Sequence, residues 1–554
     1  MRDVVLSVLL TSACLSLQAG ENLLPQAPLL PNPAGRVVRV ADINALRQAV
    51  EHAQDGDTIL LADGTYVCDK WIWIRNKKNL TLRGASNDPA KAILRGKGFA
   101  GGGDDDDIIW LDKSENVTFA YLTFTETPAY GLKINAEGDP RNIKVYNCHF
   151  RDIGVRGIKG TRGDIPSARV HGGEVRYCYF ENTKVPSAEK LDSGNYITSI
   201  DMMRLENWTF ADNVFKNIKG RTGMGRGAIF IWVESKGLTI ERNLFVDCDR
   251  GVCIGNPSNS LPTESVICRN NVFTTTSPDS QIEISAGFGV KVYNNTVFKK
   301  EPKGRGIRVV AGITSKDIEI ANNICNGDIE LNGAKAENNY AGALEGYFAD
   351  PNGCNFRLTA LAVGAINKGL PFPEVKADFD GCARDATPDI GACEFGASKP
   401  VAETAMSPSS GTPKDPQAAA STPAPPPKPV VPAIDLTPHK DAITAALKKE
   451  AKANSQVFVR VFGKVSGVVL QSVDEKGINV LTDGNSLPIR WKDLNEDDYA
   501  QLAWGALHDN ADALFHAGVL CSGHNAPLLE KIRLELFKVN ADKARALDTL
   551  ASAR

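Results

Sequence analysis

The chain has 554 residues, a formal net charge of −3 and a pI of about 6.2. This length is enough for two or three domains, and the near-neutral charge argues against a protein that binds nucleic acid through general electrostatic attraction. After the N-terminal segment, no apolar run of the sequence is long enough to cross a membrane as a helix.

The N-terminus has the pattern of a secretory signal. Arg2 precedes an apolar run over residues 4–17, and cleavage after Ala19 would remove residues 1–19. We therefore expect a bacterial protein that is secreted or held at the cell surface. Lipidation at Cys14 is disfavoured, because Thr11 stands where such a site usually has leucine.

A short helix is predicted after an exposed leader over residues 21–36. Asp42 can cap a helix that places Ile43, Leu46 and Val50 on one face. A helix at this position can cover the open end of a repeat fold, whose first strand would otherwise expose its edge.

Short strands recur from about residue 70 to residue 332, and each places one variable residue between apolar neighbours. From Asp201 to Glu330 the variable residues follow one another at intervals of 22 to 30 residues. A short strand that recurs at this pitch indicates a solenoid. The variable residues are Trp110, Lys133, Lys159, Asp201, Phe230, Cys253, Glu283, Arg308 and Glu330.

A second repeating pattern places a small polar residue or a cysteine two positions before an aromatic residue. In a solenoid the asparagines can hydrogen-bond along a ladder and the rings can stack in the interior. An ordinary β-sandwich is disfavoured, because its strands have no reason to repeat one residue type at one pitch. The segments are Cys148-His149-Phe150, Cys178-Tyr179-Phe180, Asn213-Val214-Phe215, Asn243-Leu244-Phe245, Asn271-Val272-Phe273, the longer Asn294-Asn295-Thr296-Val297-Phe298, and Asn323-Ile324-Cys325.

The remaining segments suggest how the chain is organised into domains. The solenoid domain is expected over residues 37–397, and its repeat is lost after residue 334 in what is predicted to be a closing cap. Residues 398–433 are a proline-rich spacer, and residues 434–554 are predicted to form a small barrel-like sheet plus helices that serves attachment or interaction.

Twelve cysteines are compatible with disulfides outside the cell. Cys354, Cys382 and Cys393 lie in the irregular part of the solenoid domain, and we expect one pair among them to form a bridge.

The variable residues mix acids, bases and aromatic rings on one sheet face, which suits a long acidic polysaccharide. Phe230 and Trp232 can stack on sugar rings, and Lys133 with Lys159 can bind carboxylate or sulfate groups. Arg226 ends a basic, glycine-rich loop that can grip an anionic chain.

In the interior asparagine–phenylalanine pattern, in residues 226–232 and 250–255, and in the ending 388–392, the chain resembles secreted bacterial right-handed parallel β-helix proteins of the pectate-lyase-like superfamily. The resemblance covers about residues 37–397. It implies an all-β, right-handed parallel β-helix, but it is weak for activity because this fold hosts lyases, hydrolases, epimerases and non-catalytic binders.

The leading hypothesis is a polysaccharide lyase that acts by β-elimination. A lyase needs a base and positive charge, often Ca²⁺, to stabilise the enolate-like intermediate. The catalytic candidates are Lys159, Arg308 and Arg226, and the substrate-binding candidates are Lys133, Asp201, Phe230, Trp232 and Glu283.

Metal ligation is left open at this point. Asp201 and Glu283 could each ligate a cation, but three strand spacings of about 4.8 Å place them about 14 Å apart, too far for one ion. The aspartates at residues 104–107 are more consistent with an exposed acidic loop than with a Ca²⁺ site.

Three other functions compete with the lyase hypothesis. A non-catalytic glycan-binding or cell-surface solenoid would use the same face. A glycoside hydrolase of the polygalacturonase type is disfavoured, because no clustered aspartates accompany a Gly-His-Gly and an Arg-x-Lys. An epimerase shares the first proton abstraction of the lyase and stays open.

Overall fold

The computed structural model describes residues 25–100, 106–397, 437–450, 455–461, 464–482, 485–494, 496–507 and 510–521, with single positions beyond. The chain forms two compact units, a large one built around the solenoid and a smaller C-terminal one.

The large unit is a stack of coils whose strands form three long sheets, and every strand pairs in parallel with its counterparts in the adjacent coils. The first sheet comprises Val37–Val40, Thr58–Leu61, Thr81–Gly84, Thr118–Ala120, Arg141–Tyr146, Val170–Arg176, Leu205–Ala211, Lys236–Glu241, Thr263–Arg269, Gly287–Tyr293, Glu319–Ala321 and Lys335–Glu337. The second sheet comprises Ile72–Arg75, Ile109–Asp112, Tyr130–Ile134, Arg156–Gly160, Thr198–Met203, Gly227–Trp232, Arg250–Ile254, Ile282–Ile284, Arg305–Val309 and Asp328–Glu330. The third sheet comprises Gly64–Val67, Ala92–Arg95, Thr123–Thr127, His149–Ile153, Tyr179–Glu181, Val214–Lys216, Leu244–Val246, Val272–Thr275, Thr296–Lys299 and Ile324–Cys325.

This arrangement confirms the predicted solenoid, and parallel strands joined by crossovers give it the right-handed sense. Alternate residues of each strand point inward, so that Ile200, Ile229, Val252 and Ile282 form one buried line along the second sheet. The intervening residues face the outside of the solenoid, which is where the variable residues lie.

The interior holds the predicted stack of rings along the third sheet. Successive ring centroids are 4.5 to 4.9 Å apart, and the planes of neighbouring rings are nearly parallel. The stacked residues are Phe124, Phe150, Phe180, Phe215, Phe245 and Phe273.

Phe298 was predicted to continue this stack, and that prediction is wrong. Val297 pairs with Phe273 and takes the interior position, because the extra residue in this segment shifts the alternation by one. Phe298 therefore points outward, where it contacts Phe348 and Phe356.

Asparagines form a second interior line at the turn before the third sheet. The Asn243 side chain accepts from the Asn213 backbone N–H at 3.1 Å and donates to the Asn271 Oδ1 at 2.9 Å. The same contacts continue through Asn295 and Asn323, and this confirms the predicted hydrogen-bonded ladder.

The helix Ile43–Glu51 covers the N-terminal end of the stack. Asp42 caps it by accepting from two backbone N–H groups at 2.9 Å, and Leu46 and Val50 join the solenoid core. The leader over residues 25–36 is mostly exposed, as expected, and Leu29 is 75% exposed, but the leader also contacts the first sheet. The Leu30 N–H donates to the Tyr121 hydroxyl at 2.9 Å, and Leu30 packs in that sheet's tyrosine cluster.

Residues 340–393 form the irregular C-terminal segment. Most of it lies along the outer face of the third sheet, while Phe372 and Val375 pack on the first sheet beside Tyr293. Phe348, Phe356 and Ile390 form one apolar cluster with residues such as Val214 and Ile324 from five or more strands of that sheet. The segment contains one antiparallel pair of strands, Phe348–Asp350 and Asn355–Leu358.

The cysteines described in the structure are all free, so the predicted bridge among Cys354, Cys382 and Cys393 is not formed. Burial raises the pKa of the Cys393 thiol, which packs in the apolar cluster with Phe348. Packing against apolar neighbours accounts for Cys393 without a covalent partner.

The small unit contains the helices Thr437–Glu450, Glu496–Ala506 and Ala511–Cys521. Its four strands, Ser455–Val461, Lys464–Val473, Gly477–Thr482 and Asn485–Arg490, form one antiparallel sheet, as expected for an α+β domain. Over the residues described, no helix is both long and apolar enough to span a membrane.

Candidate functional site

The predicted variable residues form one continuous row on the outer face of the second sheet. Lys133 pairs with Lys159, Lys159 with Asp201, and Asp201 with Phe230 in adjacent strands. The row continues through Cys253, Glu283, Arg308 and Glu330 in the same register.

Asp201 is the centre of a buried cluster within this row. One of its carboxylate oxygens accepts from the Arg156 Nε at 2.7 Å and from the Lys159 Nζ at 2.9 Å. The other oxygen accepts from the Trp232 indole N–H at 2.9 Å. The Arg156 guanidinium also lies 3.6 Å from the centre of the Tyr196 ring. Three donors therefore hold one carboxylate in a fixed orientation.

Arg156 was not predicted from the sequence. It lies three residues before Lys159, and such an odd separation places two residues of a regular strand on opposite faces. Arg156 is the first residue of its strand, however, and its side chain also donates to the backbone oxygens of Val155 and Tyr196. Its position at the start of the strand lets both cations reach Asp201.

The cluster shifts the pKa values of its members. Burial alone would raise the pKa of Asp201, but the charges of Lys159 and Arg156 outweigh it and hold the pKa at about 2. Burial lowers the pKa of Lys159; Asp201 opposes that shift, and the charges of Arg156 and Lys133 add to it. Lys159 is thus an amine whose neutral form is favoured more than that of an ordinary surface lysine.

Lys133 lies one strand away from Lys159 and is only partly buried. Its Nζ lies 4.3 Å from the centre of the Trp110 ring and 3.6 Å from an Asp107 carboxylate oxygen. Burial raises the pKa of the nearby Tyr130 to about 12, so that this hydroxyl stays protonated at neutral pH.

The aromatic residues of the row are not equally accessible. Phe230 is 1% exposed and lies against Trp232, with ring centroids 5.1 Å apart. The ring accessible to a sugar at this point is therefore that of the half-buried Trp232, which Phe230 supports from beneath.

The basic loop over residues 219–226 is held against the sheet by an unpredicted carboxylate. Asp249 accepts from the backbone N–H groups of Gly220 and Gly225 at 2.8 Å each. The Arg226 guanidinium lies 5.9 Å from the centre of the Phe230 ring, which places this cation beside the Asp201 cluster.

Glu283 and Arg308 form a separate group. The Arg308 guanidinium is 3.7 Å from a Glu283 carboxylate oxygen and 3.2 Å from one of Glu330. Five strand spacings of about 4.8 Å separate Arg308 from Lys159, a distance of about 24 Å. These two catalytic candidates therefore cannot act on the same bond.

The carboxylates do not fit a Ca²⁺ site in the part of the chain that the structure describes. Within those residues no three His, Cys, Asp or Glu side chains converge. Asp201 and Glu283 are each directed at cationic side chains, and Asp104 and Asp105 lie outside the described residues.

Similar folds occur among solved structures. Pectate lyase Pel9A has 15% sequence identity and a TM-score of 0.44, covering 65% of this chain and 97% of that one. An alginate lyase from Paenibacillus sp. str. FPU-7 has 16% identity and a TM-score of 0.36, covering 56% of this chain and 99% of that one.

A mutant of the PL6 family alginate lyase AlyGC has 18% identity and a TM-score of 0.37. The match covers 54% of this chain but only 40% of that enzyme, so this chain corresponds to less than half of its length. No protein-family model matches this chain, and no curated protein matches it. By its three all-parallel sheets, this chain is a right-handed parallel β-helix protein.

Proposed function

We propose that this protein binds an acidic polysaccharide along the outer face of the second sheet and cleaves it by β-elimination, with Lys159 as the base. The observation that carries this proposal is the cluster of Lys159, Arg156 and Asp201, in which the pKa of a single amine is lowered between two further cations, Lys133 on the adjacent strand and Arg226 beside the Phe230 ring. An amine with a lowered pKa is suited to remove a proton near neutral pH.

The reaction needs one proton acceptor and local positive charge. Neutral Lys159 takes the proton α to a uronate carboxylate, and the electron pair moves toward that carboxylate. Lys133 and Arg226 flank the position and stabilise the developing negative charge. The bond to the β oxygen then breaks, a carbon–carbon double bond forms, and the leaving oxygen takes a proton from the Lys159 ammonium or from water.

The site residues take different roles in this proposal. Trp232 stacks on a sugar, and Asp201 orients Lys159. Arg308 contacts the polysaccharide far from the reacting bond, since it lies five strand spacings from Lys159, and the buried Glu283 holds Arg308 through their ion pair.

The test is the absorbance of unsaturated uronates formed from pectate, alginate and glycosaminoglycans. We expect a rise with one polymer, its loss in Lys159→Gln, and its retention in Lys144→Gln, a control lysine that is paired with Glu174 on the first sheet. Turnover that persists unchanged in Lys159→Gln would reject Lys159 as the base.

A non-catalytic glycan-binding solenoid is the second proposal. It is favoured by the fact that Lys159 is only 8% exposed and already ion-paired with Asp201. In that function the cluster would serve to fix Trp232 in place. Glycan binding without unsaturated products or new reducing ends would support this second proposal. New reducing ends without unsaturated products would indicate a hydrolase. Proton exchange into the polysaccharide without cleavage would indicate an epimerase.

Three further proposals concern Ca²⁺, secretion and attachment to a partner. Calcium dependence is expected from the sequence but is not supported by the carboxylates that the structure describes, and adding chelator to the absorbance assay tests it. Secretion with removal of residues 1–19 is tested by sequencing the N-terminus of exported protein, since residues 1–24 lie outside those described. Attachment to a cell-surface or protein partner through residues 434–554 is tested by cell-binding assays with the isolated solenoid domain and the full chain.

A further inference from the structure

Three tryptophans lie together where the second sheet begins. The Trp71 and Trp110 rings are 5.5 Å apart in an edge-to-face arrangement, and the Trp73 and Trp110 rings are 6.4 Å apart with a tilt of 31°. Trp73 is 50% exposed, in contrast to the buried Trp208 of the first sheet. A contiguous apolar patch that is left in contact with water, especially one bordered by polar residues, marks an interaction or ligand-binding site.

This patch continues directly into the candidate site. Trp73 pairs with Trp110, and Trp110 pairs with Lys133, so all three residues belong to the same outward row as Lys159. Three strand spacings of about 4.8 Å place Trp73 about 14 Å from Lys159 along the stack.

The patch also carries positive charge. The Arg75 guanidinium lies 4.9 Å from the centre of the Trp73 ring and 3.2 Å from an Asp112 carboxylate oxygen. Lys133 lies over the Trp110 ring at 4.3 Å. Exposed rings bordered by cations are complementary to a chain whose sugars have apolar faces and carboxylate groups.

We propose that Trp73 and Trp110 form a second sugar-binding subsite for the acidic polysaccharide. Sugar rings stack on the indoles, and Arg75 pairs with a carboxylate of the same chain. This inference rests on the proposed function. It predicts that the polysaccharide runs along the stack of coils, from the tryptophans past Lys133 to Lys159. Because the subsite lies away from the reacting bond, it binds long chains and does not contact short ones held at Lys159.

The test compares acidic oligosaccharides of graded length in the full chain and in Trp73→Ala. Loss of one stacked ring is expected to weaken the binding of long oligosaccharides by about three- to tenfold. Short oligosaccharides should bind and react as they do with the unaltered protein. Phe395→Ala is the matched control, since Phe395 is an exposed aromatic residue, 43% accessible, outside the sheet.

Trp73→Phe keeps a ring and should retain most of the affinity, which separates stacking from an effect on folding. Equal affinity of Trp73→Ala and the unaltered protein for long chains would overturn the subsite. A change in oligomeric state on replacing Trp73 would do the same, because it would assign the patch to a protein contact.

The subsite and the proposed function can fail separately. If Lys159→Gln retains turnover while Trp73→Ala loses affinity for long chains, the subsite stands and the lysine base is rejected. If the unaltered protein binds no acidic polysaccharide, both are rejected.

Discussion

Asp201 is the residue through which the candidate site is held together. It fixes one lysine, one arginine and one tryptophan, and its pKa of about 2 keeps it ionised near neutral pH. A buried carboxylate with two cationic partners is costly to disturb, because removing its charge leaves those cations without compensation.

Asp201→Asn should therefore destabilise the solenoid by about 3–5 kcal/mol, the cost of breaking a buried ion pair from one side. Urea-induced unfolding of the variant and the unaltered protein measures this difference. Glu330→Gln is the control, because Glu330 is half-buried and its ion pairs with Arg305 and Arg308 are near the surface, where such pairs contribute about 0–1 kcal/mol. A similar decrease in the free energy of unfolding in both variants would show that the Asp201 ion pairs contribute no more to stability than surface ion pairs do.

The pH dependence of turnover should move in opposite directions in two variants. Turnover rises as Lys159 loses its proton, with a midpoint below the ordinary lysine pKa because burial lowers the pKa of this amine. Lys133→Gln removes a cation that lowers this pKa further, so its midpoint should move to higher pH.

Asp201→Asn removes the charge that raises the Lys159 pKa, so its midpoint should move to lower pH. The measurement is the rate of product absorbance across the alkaline range. Shifts of the same sign in the two variants would contradict Lys159 as the titrating base.

At the residue scale, the sequence predicted which side chains lie next to one another better than it predicted their burial and their contacts. The spacing of the strands was enough to place Lys133, Lys159 and Asp201 side by side, since a row in a parallel sheet follows from register alone. It could not predict that Phe230 is buried beneath Trp232, which depends on how neighbouring side chains pack. Nor could it predict Arg156, whose contact depends on its place at the start of a strand.

At the scale of single elements, the asparagine ladder is the feature that aligns successive turns. Each side chain accepts from the backbone of one coil and donates to the next, so buried backbone groups at the turns are satisfied. The pattern was readable from the sequence because the ladder needs the same residue type at every turn. The exception at Phe298 arose because one added residue reverses which face a side chain occupies.

Asn243→Ala should cost about 1–3 kcal/mol for each buried partner left without a hydrogen bond, and the Asn213 and Asn271 side chains both lose one. Thermal and urea unfolding measure the loss. Asn44→Ala is the control, since Asn44 is exposed in the N-terminal helix, where alanine is the better helix former. A ladder variant as stable as this control would show that the stacked amides contribute nothing.

At the scale of the whole molecule, the candidate groups from Trp73 to Glu330 lie in the solenoid unit. A chain that ends at residue 397 should therefore fold and turn over polysaccharide at the rate of the full chain. Circular dichroism and the absorbance assay measure both properties. Loss of turnover with retained folding would assign residues beyond 397 to the reaction.

The C-terminal segment along the third sheet has a consequence for how the solenoid comes apart. In a solenoid each coil contacts only its neighbours, so coils can in principle open one at a time from a free end. Residues 340–393 contact several coils at once, and one coil cannot leave while the segment stays in place. We therefore expect these coils to open together and rarely, so that amide exchange and proteolysis are slow in the part of the solenoid that the segment covers.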